Sequence, residues 1–327
     1  MDRDLGINLA RVTEAAALAS AKYLGKGKAE KADEVAVEQM RIMFDILNIN
    51  GEVVIGEGEI DEAPMLYIGE KVGDGSYSQV DIAVDPVDGT TSLANGMDNA
   101  ISVIAVAPRG CLLNAPDVYM NKIACGPRAR GAINLSASAT ENIKKVAQRL
   151  NKDVSDITVS VLKRERHDEL IKEIRATGAR IRMVTDGDIF TAIATGFSAG
   201  KIDLMMGIGG APEGVLAAAA LKCLDGDFQG QFTPLNPAQK KRCDLLNVDL
   251  DKIYTLDDLV KGNQVLFAAT GISSGDFLQG VEFLEGNTAT TESLVLRKPS
   301  GTTRFIKSIH KLDQKLSDVD PKYLKRG

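Results

Sequence analysis

Acidic residues recur in this sequence where β-branched runs give way to glycine-containing turns. Glu57, Glu59 and Asp61 follow the run EVVI (52–55), and Asp85 and Asp88 flank Pro86 in DPVDGTT (85–91) after a second such run. Asp186 and Asp188 close a third in TDGD (185–188), Glu213 follows GIGGAP (207–212), and Asp33 opens a helical stretch. Strand ends and helix starts are where α/β proteins build sites. Carboxylates that converge repel each other and raise one another's pKa unless cations sit between them. Hard oxygen ligands without nearby His or Cys select Mg2+ or Mn2+ over zinc. His167 and His310 are the only histidines, so a His-based zinc site or a Ser-His-Asp triad lacks material. Their plain readings are a surface residue at a helix start for His167 and a surface residue of a strand for His310.

DPVDGTT is the most informative run. Proline stiffens the turn so that Asp85 and Asp88 can reach one metal. Gly89 lets the backbone approach an anion, and the N–H groups of Gly89 and Thr90 stand at a helix start, where phosphate binds well. Taken alone, a DPxDG run is also a common Asx turn. Its position directly after a β-branched strand, with Glu57 one strand earlier, favours the metal reading.

The elements that must hold these residues are legible from periodicity. Residues 5–24 carry apolar side chains at helical spacing, and a second helical stretch runs from about Ala32 to Leu47. Strands are expected at 52–59, 80–93 (stopped by Pro86 and Gly89), 99–108, 158–163, 179–189, 201–210 and 262–272, with helices at 143–150, 166–177 and 213–224. Residues 233–258 read as a surface excursion, and 292–297 with 302–312 as a closing hairpin around KPSG. Strands alternating with helices imply an α/β architecture with mixed or parallel sheets. A boundary near residue 155, in the polar stretch NKDVSD, divides the chain into an N-terminal half, 1–155, that carries most of the acidic motifs, and a C-terminal α/β half, 156–327.

Composition narrows the class. With 327 residues, 44% hydrophobic and 26% charged, the chain can bury a large core and is not disordered. Its net charge of −6 disfavours a nucleic-acid partner for the bulk surface. Cys111, Cys125, Cys223 and Cys243 show no CxxC spacing and read as reduced thiols of a cytoplasmic protein. The start MDRDLGINLA lacks a basic segment followed by an apolar run, and no stretch reaches a membrane span, so a soluble, non-exported chain is expected.

DPVDGTT resembles the D-P-x-D-G-T signature of the Mg2+-dependent, lithium-sensitive phosphatases, which include inositol monophosphatases and fructose bisphosphatases. VVIGEGEIDEAPMLYIGEKVG (53–73), NAPDVYMNKIA (114–124), TDGD (185–188) and GIGGAPEGV (207–215) resemble the class II, GlpX-type fructose-1,6-bisphosphatases, and the likeness runs from RVTEAAALA (11–19) to TATTESL (288–294). The resemblance implies a layered α-β-α-β-α sandwich with two mixed sheets, and a homodimer or homotetramer. It implies that Asp33 and Glu57 hold one divalent metal and that Asp85, Asp88 and Glu213 hold a second, the cations being Mg2+ or Mn2+. It places substrate contacts on Asp88, Gly89 and Thr90, on Tyr119, on Arg164 and Arg166, on Asp186 and Asp188, and on Gly210. Two departures stand out. Relatives often carry Lys where this chain has Ala29, leaving Lys28 and Lys31 as the neighbouring lysines, and Glu165 replaces a proline common in relatives.

The implied activity is metal-dependent hydrolysis of the 1-phosphate of fructose 1,6-bisphosphate in gluconeogenesis. The expected catalytic residues are Asp61 and Thr90, which orient and deprotonate the attacking water. Guanidinium groups at Arg164 and Arg166 suit the non-reacting phosphate, although both also read as a solvated helix start. Tyr119 could bond a phosphate or cap the core beside Val118 and Met120; Asp186 and Asp188 could accept sugar hydroxyls or simply form their turn. The glycines of 207–210 could serve only close packing, and Glu213 is favourable at a helix start without any metal. The alternatives are a dual enzyme that also cleaves sedoheptulose 1,7-bisphosphate, and a non-catalytic sugar-phosphate sensor.

Overall fold

The computed structural model describes residues 4–58, 64–76, 79–197 and 201–314. Leu5, Leu9, Val12, Ala16 and Ala17 share one side of the first apolar stretch and bury it as helix α1 (Leu5–Ser20). Helix α2 (Ala29–Phe44) packs on it through Ala32, Ala36, Val37 and Met40. It starts and ends three residues earlier than the periodicity suggests, so Asp33 lies one turn inside the helix instead of opening it.

The chain continues through β1 (Asn50–Ile55), β2 (Lys71–Val72), β3 (Gln79–Asp88), the short helix α3 (Thr90–Ala94), β4 (Ile101–Pro108) and β5 (Tyr119–Cys125). Then follow α4 (Ala139–Leu150), β6 (Thr158–Leu162), α5 (Asp168–Ala176), β7 (Arg180–Val184), α6 (Asp188–Ala194), β8 (Leu204–Gly210), α7 (Ala211–Cys223) and β9 (Asp227–Phe232). The last part holds α8 (Pro237–Leu245), β10 (Tyr254–Thr255), α9 (Leu256–Leu259), β11 (Leu266–Gly271), β12 (Glu282–Leu284), and the expected hairpin β13 (Thr288–Arg297) with β14 (Thr302–Lys311).

The strands form an eight-stranded sheet and a six-stranded sheet. In the first, β14 pairs along one edge of β13, while β11 and β12 pair with successive stretches of its other edge, and β4, β3, β1 and β2 follow. The order in the second is β10-β9-β5-β8-β6-β7. Both are mixed: β1 runs parallel to β3, and β6 parallel to β7 and β8, among otherwise antiparallel pairs. Each sheet takes strands from both sides of residue 155.

Three apolar clusters fix five layers. Helices α1 and α2 cover the outer face of the first sheet, α6 and α7 fill the space between the sheets, and α4 and α5 cover the outer face of the second. The expected α-β-α-β-α sandwich is therefore what the chain forms. A helix apolar all round belongs inside a protein, and from Gly214 to Cys223 every residue of α7 is buried. Its alanines let both sheets close on it. Strand β4, covered on both faces, is buried from Ile101 to Ala107, which is why it reads as one apolar run.

Several expectations shift. The strand expected over 179–189 stops at Val184, because Gly187 takes φ 81° and Asp188 opens α6. Residues 233–258 are partly ordered into α8, β10 and α9, with Asn236 accepting from Gln239 N to cap α8. Strand β9 was not expected, since DFQGQF buries only Phe228, Gly230 and Phe232. Neither histidine is a surface residue: His167 is 1% and His310 7% exposed. His167 Nε2 accepts from Ile208 N at 2.8 Å and Nδ1 lies 2.7 Å from Leu162 O, so its ring ties β6 to β8. All four cysteines are free thiols, and no helix among the described residues is long and apolar enough to cross a membrane.

Ala218, fully buried in α7 between the sheets, gives a direct check of the layered core. Ala218→Leu should overpack this layer and destabilise the protein by roughly 1–3 kcal/mol, read from denaturant unfolding. An unchanged midpoint would show that the two sheets do not close tightly on α7.

Candidate active site

The geometry begins at the end of β3. Its register against β4 slips between Asp85 and Asp88, where Pro86 has no N–H to give to the ladder. Asp85 Oδ1 accepts from Val87 N at 3.0 Å, closing the turn. Gly89 follows with φ 96°, and a Cβ there would stand 3.3 Å from Ala100 Cα, so glycine is needed both for the turn and for the close approach. The chain then enters α3, where Thr90 Oγ1 donates to Val87 O at 3.0 Å.

A second turn locks onto the first. Asp186 Oδ2 accepts from Thr91 N at 3.0 Å, and Asp88 Oδ2 accepts from Phe190 N at 3.2 Å. Each acidic residue thus caps the helix that follows the other turn, and the loops around 88–90 and 186–188 position one another.

Asp33 from α2, Glu57 after β1, Asp85 and Asp88 from β3, Asp186 after β7 and Glu213 from α7 line one cavity of about 490 Å³. Gly89 and Thr90 line it too. Burial, and then the negative charge of Asp33, push Glu57 up to about 8. Burial followed by the charge of Asp188 pushes Glu213 to about 7, with the Lys122 ammonium opposing the rise. Asp85 is held well above the usual carboxylate range by burial and by Asp88, Glu213, Glu57 and Asp33 in turn. Asp88 is raised by burial and by Asp188 and Asp186, and Asp33 by burial, against a lowering hydrogen bond with Glu57. Asp85 is thus the residue that feels both the Asp33–Glu57 pair and the Asp88–Glu213 side.

The donor set suits hard cations. It contains only carboxylate oxygens, and Glu213 Oε2 is buried without a hydrogen-bond partner. An orphaned buried oxygen costs free energy unless something outside the protein completes it. Among the described residues no three acidic, histidine or cysteine side chains close around a single point as a finished ligand shell. The carboxylates share a cavity wall instead, held there by five different elements. By charge and chemistry they fit divalent cations placed among them.

Other expected site residues lie elsewhere. Tyr119, Arg164, Arg166, Asp188 and Gly210 are not part of this cavity's wall. Arg166 stacks on the Tyr119 ring at 4.8 Å and donates from Nε and Nη2 to Ile208 O at 3.1 and 2.8 Å. Tyr119 is opposite Gly210 across the β5–β8 ladder, so these three residues form one group at the ends of two central strands of the second sheet. Arg164 is exposed and donates to Lys163 O at 3.0 Å. Asp188 is buried in an ion pair with Lys122. Asp61 and Glu59 fall outside the described residues. Ala29 lines the cavity, whereas Lys31 pairs with Glu34 at 2.8 Å on the exposed side of α2, and Lys28 is exposed at the helix start.

Sequence reasoning passed over Lys122, Asp117 and Glu30, the last two of which also line the cavity. A lysine inside the otherwise apolar strand YMNKIAC was the available signal for Lys122. For Asp117 and Glu30, exposed residues in ordinary polar contexts, there was none.

Comparison with known proteins gives a consistent result. Residues 3–310 match the family described as bacterial fructose-1,6-bisphosphatase, glpX-encoded. The chain is 46% identical over 328 aligned positions, 96% of its length and 97% of the other's, to fructose-1,6-bisphosphatase 1 class 2 of Escherichia coli K12. The same identity and coverage relate it to the fructose-1,6-bisphosphatase class 2 of Shigella flexneri. A solved structure, an extragenic suppressor from Pyrococcus furiosus, aligns at 16% identity over 59% of this chain and 68% of that one with a TM-score of 0.30, too distant a likeness to bear on the site.

The raised carboxyls have a consequence for stability. Each binds its proton more tightly in the folded than in the unfolded chain, so without cations its contribution is whole below the ordinary value of 4.5 and is lost as pH rises through about 8 for Glu57. In chelator, the thermal midpoint should therefore fall across that window. Added Mg2+ or Mn2+ should restore it most at the alkaline end, with protons released on binding. Calorimetric scans and a titration in weak buffer check both statements, and a cation-free midpoint that climbs across the window would contradict them.

Proposed function

The chain belongs to the bacterial, glpX-encoded fructose-1,6-bisphosphatases, and from that premise we propose that its acid-lined cavity is where the 1-phosphate of fructose 1,6-bisphosphate is hydrolysed, giving fructose 6-phosphate and phosphate. One observation carries the reading: carboxylates from α2, β3 and α7 and from the turns after β1 and β7 converge on a single cavity with a Glu213 oxygen left without a partner.

The roles are those the family resemblance implies, and the shared cavity supports them. Asp33 and Glu57, neighbours in the cavity wall whose charges act on each other, would hold one Mg2+ or Mn2+. Asp85, Asp88 and Glu213 hold the second, with Asp85 between the two sets. When bound, two such cations neutralise the phosphoryl oxygens, acidify the attacking water and stabilise the departing alkoxide. That help matters because hydrolysis of a phosphate monoester is among the slowest uncatalysed reactions known.

The protein's own groups do the rest. The Thr90 hydroxyl, at the mouth of α3, orients the attacking water, and Asp61 takes its proton. A bond forms from that water oxygen to phosphorus while the bond from phosphorus to the sugar oxygen breaks, and the sugar oxygen leaves with a proton. Gly89 and Thr90 receive the reacting phosphate through backbone N–H groups. Asp186 meets the sugar hydroxyls, with Asp188 behind it. The group of Arg166, Tyr119 and Gly210, with Arg164 beside it, receives the second phosphate. Arg166 already lies over the Tyr119 ring, and with Nε and Nη2 on Ile208 O its Nη1 is left for a phosphate oxygen. The proposal extends to a cytoplasmic protein, in keeping with four free thiols, assembled as a dimer or tetramer.

Phosphate release from fructose 1,6-bisphosphate should require Mg2+ or Mn2+ and stop in chelator; no release from a folded, cation-loaded protein would point to a sugar-phosphate sensor instead. Parallel assays on sedoheptulose 1,7-bisphosphate and an inositol monophosphate define the substrate range. Thr90→Ala should lower kcat by roughly 100-fold or more with an unchanged thermal midpoint, and near-normal turnover would remove Thr90 from the mechanism. Arg164→Ala and Arg166→Ala should raise KM for the bisphosphate more than they lower kcat.

A further inference from the structure

Lys122 is a buried cation beside a site made of anions. It lies in the middle of β5, 1% exposed, and its ammonium is ion-paired with Asp188 and donates to Gly210 O at 2.8 Å. Those partners belong to different elements: Asp188 is the first residue of α6, and Gly210 is the residue from which α7 starts, three positions before Glu213.

The surrounding glycines are shaped to this lysine. Lys122 is opposite Gly207 on one neighbouring strand and Gly230 on the other. A Cβ at Gly209 would overlap Asp188 Oδ2 and stand 2.9 Å from Lys122 Nζ. One at Gly214 would press on the Lys122 stem at 3.2 Å, and one at Gly210 would overlap Glu213 Oε2. The run GIGGAPEG is thus the space in which Lys122, Asp188 and Glu213 lie side by side, beyond any role in close packing.

We infer that Lys122 is a positioning residue of the hydrolytic site: a resident monovalent cation that fixes the starts of α6 and α7, and with them Asp188 and Glu213, while offsetting part of the charge that attracts the divalent cations. The inference rests on the proposed metal-dependent reading of the cavity. It separates two effects that simple structural damage would join. Without the lysine the cluster gains a net negative charge and should attract cations more strongly, while Glu213 and the 186–188 turn lose their support and turnover should fall. Removing one partner of a buried pair also leaves the other uncompensated, so stability must be followed in parallel.

The test uses Lys122→Met in the full chain, with Mn2+ as the probe. Isothermal calorimetry with Mn2+ alone should show a several-fold lower dissociation constant than wild type, while kcat falls roughly 10–100-fold, the range for residues that support metal ligands. Weaker or unchanged Mn2+ binding, or unchanged kcat, overturns the inference. The double variant Lys122→Met/Asp188→Asn removes both charges together and serves if the single variant does not fold. Its Mn2+ affinity should return toward wild type, and an affinity that stays several-fold tighter overturns the charge-offsetting role; kcat stays low, because both the bond to Gly210 O and the Asp188 carboxylate are missing. Wild-type protein run alongside keeps the outcomes apart. If it neither binds Mn2+ nor releases phosphate, the metal-dependent reading fails, whereas a failure confined to the variants refutes only the role of Lys122.

Discussion

Mutual repulsion of buried carboxylates is the constraint on which this structure turns. Two like charges 4 Å apart at an effective dielectric constant of 20 repel by about 4 kcal/mol, and here Asp33, Glu57, Asp85, Asp88 and Glu213 share one cavity. No local sequence preference would bring them together. They stay because each is carried by an element whose position is set elsewhere: α2 by its packing on α1, β1 and β3 by the ladder of the first sheet, and α7 by the contact of both sheets on its alanines. The free energy that assembles the site therefore comes from apolar burial at a distance. The unfavourable charge is left at the cavity, where cations can relieve it.

Close approach is the second requirement. Sites between two sheets need backbone to come near side chains, and glycine meets that need where it counts. Gly89 lets the chain turn past Ala100 into α3, and Gly209 and Gly210 leave room for Asp188 and Glu213. The hydrogen bonds Thr91 N to Asp186 and Phe190 N to Asp88 then couple two turns from opposite sheets, so the acidic wall and the 186–188 turn are held by one reciprocal latch. Lys122 continues that arrangement one layer deeper, where its ammonium is shared by Asp188 and the start of α7.

Much of this was legible in the sequence, for reasons that vary by residue. DPVDGTT carries its own geometry in a proline, a glycine and two short acids, so the turn after β3 is where it was expected. The buried run of β4 and the alanine-rich α7 announce a core covered on two faces. The signal failed where context outweighs pattern. His167 looks like a surface residue in KRERHDEL, but its ring is buried because β6 and β8 present a carbonyl and an N–H at the spacing of its two nitrogens. Strand β9 hides behind alternating polar residues and a glycine, and α6 begins inside what reads as a strand because Gly187 reverses the chain.

The sequence by itself determined the chemistry available: an all-oxygen set of acids at strand ends, too few histidines for rival metal or triad chemistry, and glycines where backbone must bend. These are properties of residue type and near-neighbour spacing, and they survive without knowledge of the fold. Only the tertiary structure decided which acids share a cavity, that Asp188 is paired with Lys122, and that Arg166 rests on Tyr119 near Gly210. Those pairings join residues tens of positions apart, and they are set by strand register and by how the layers close, which no local pattern encodes.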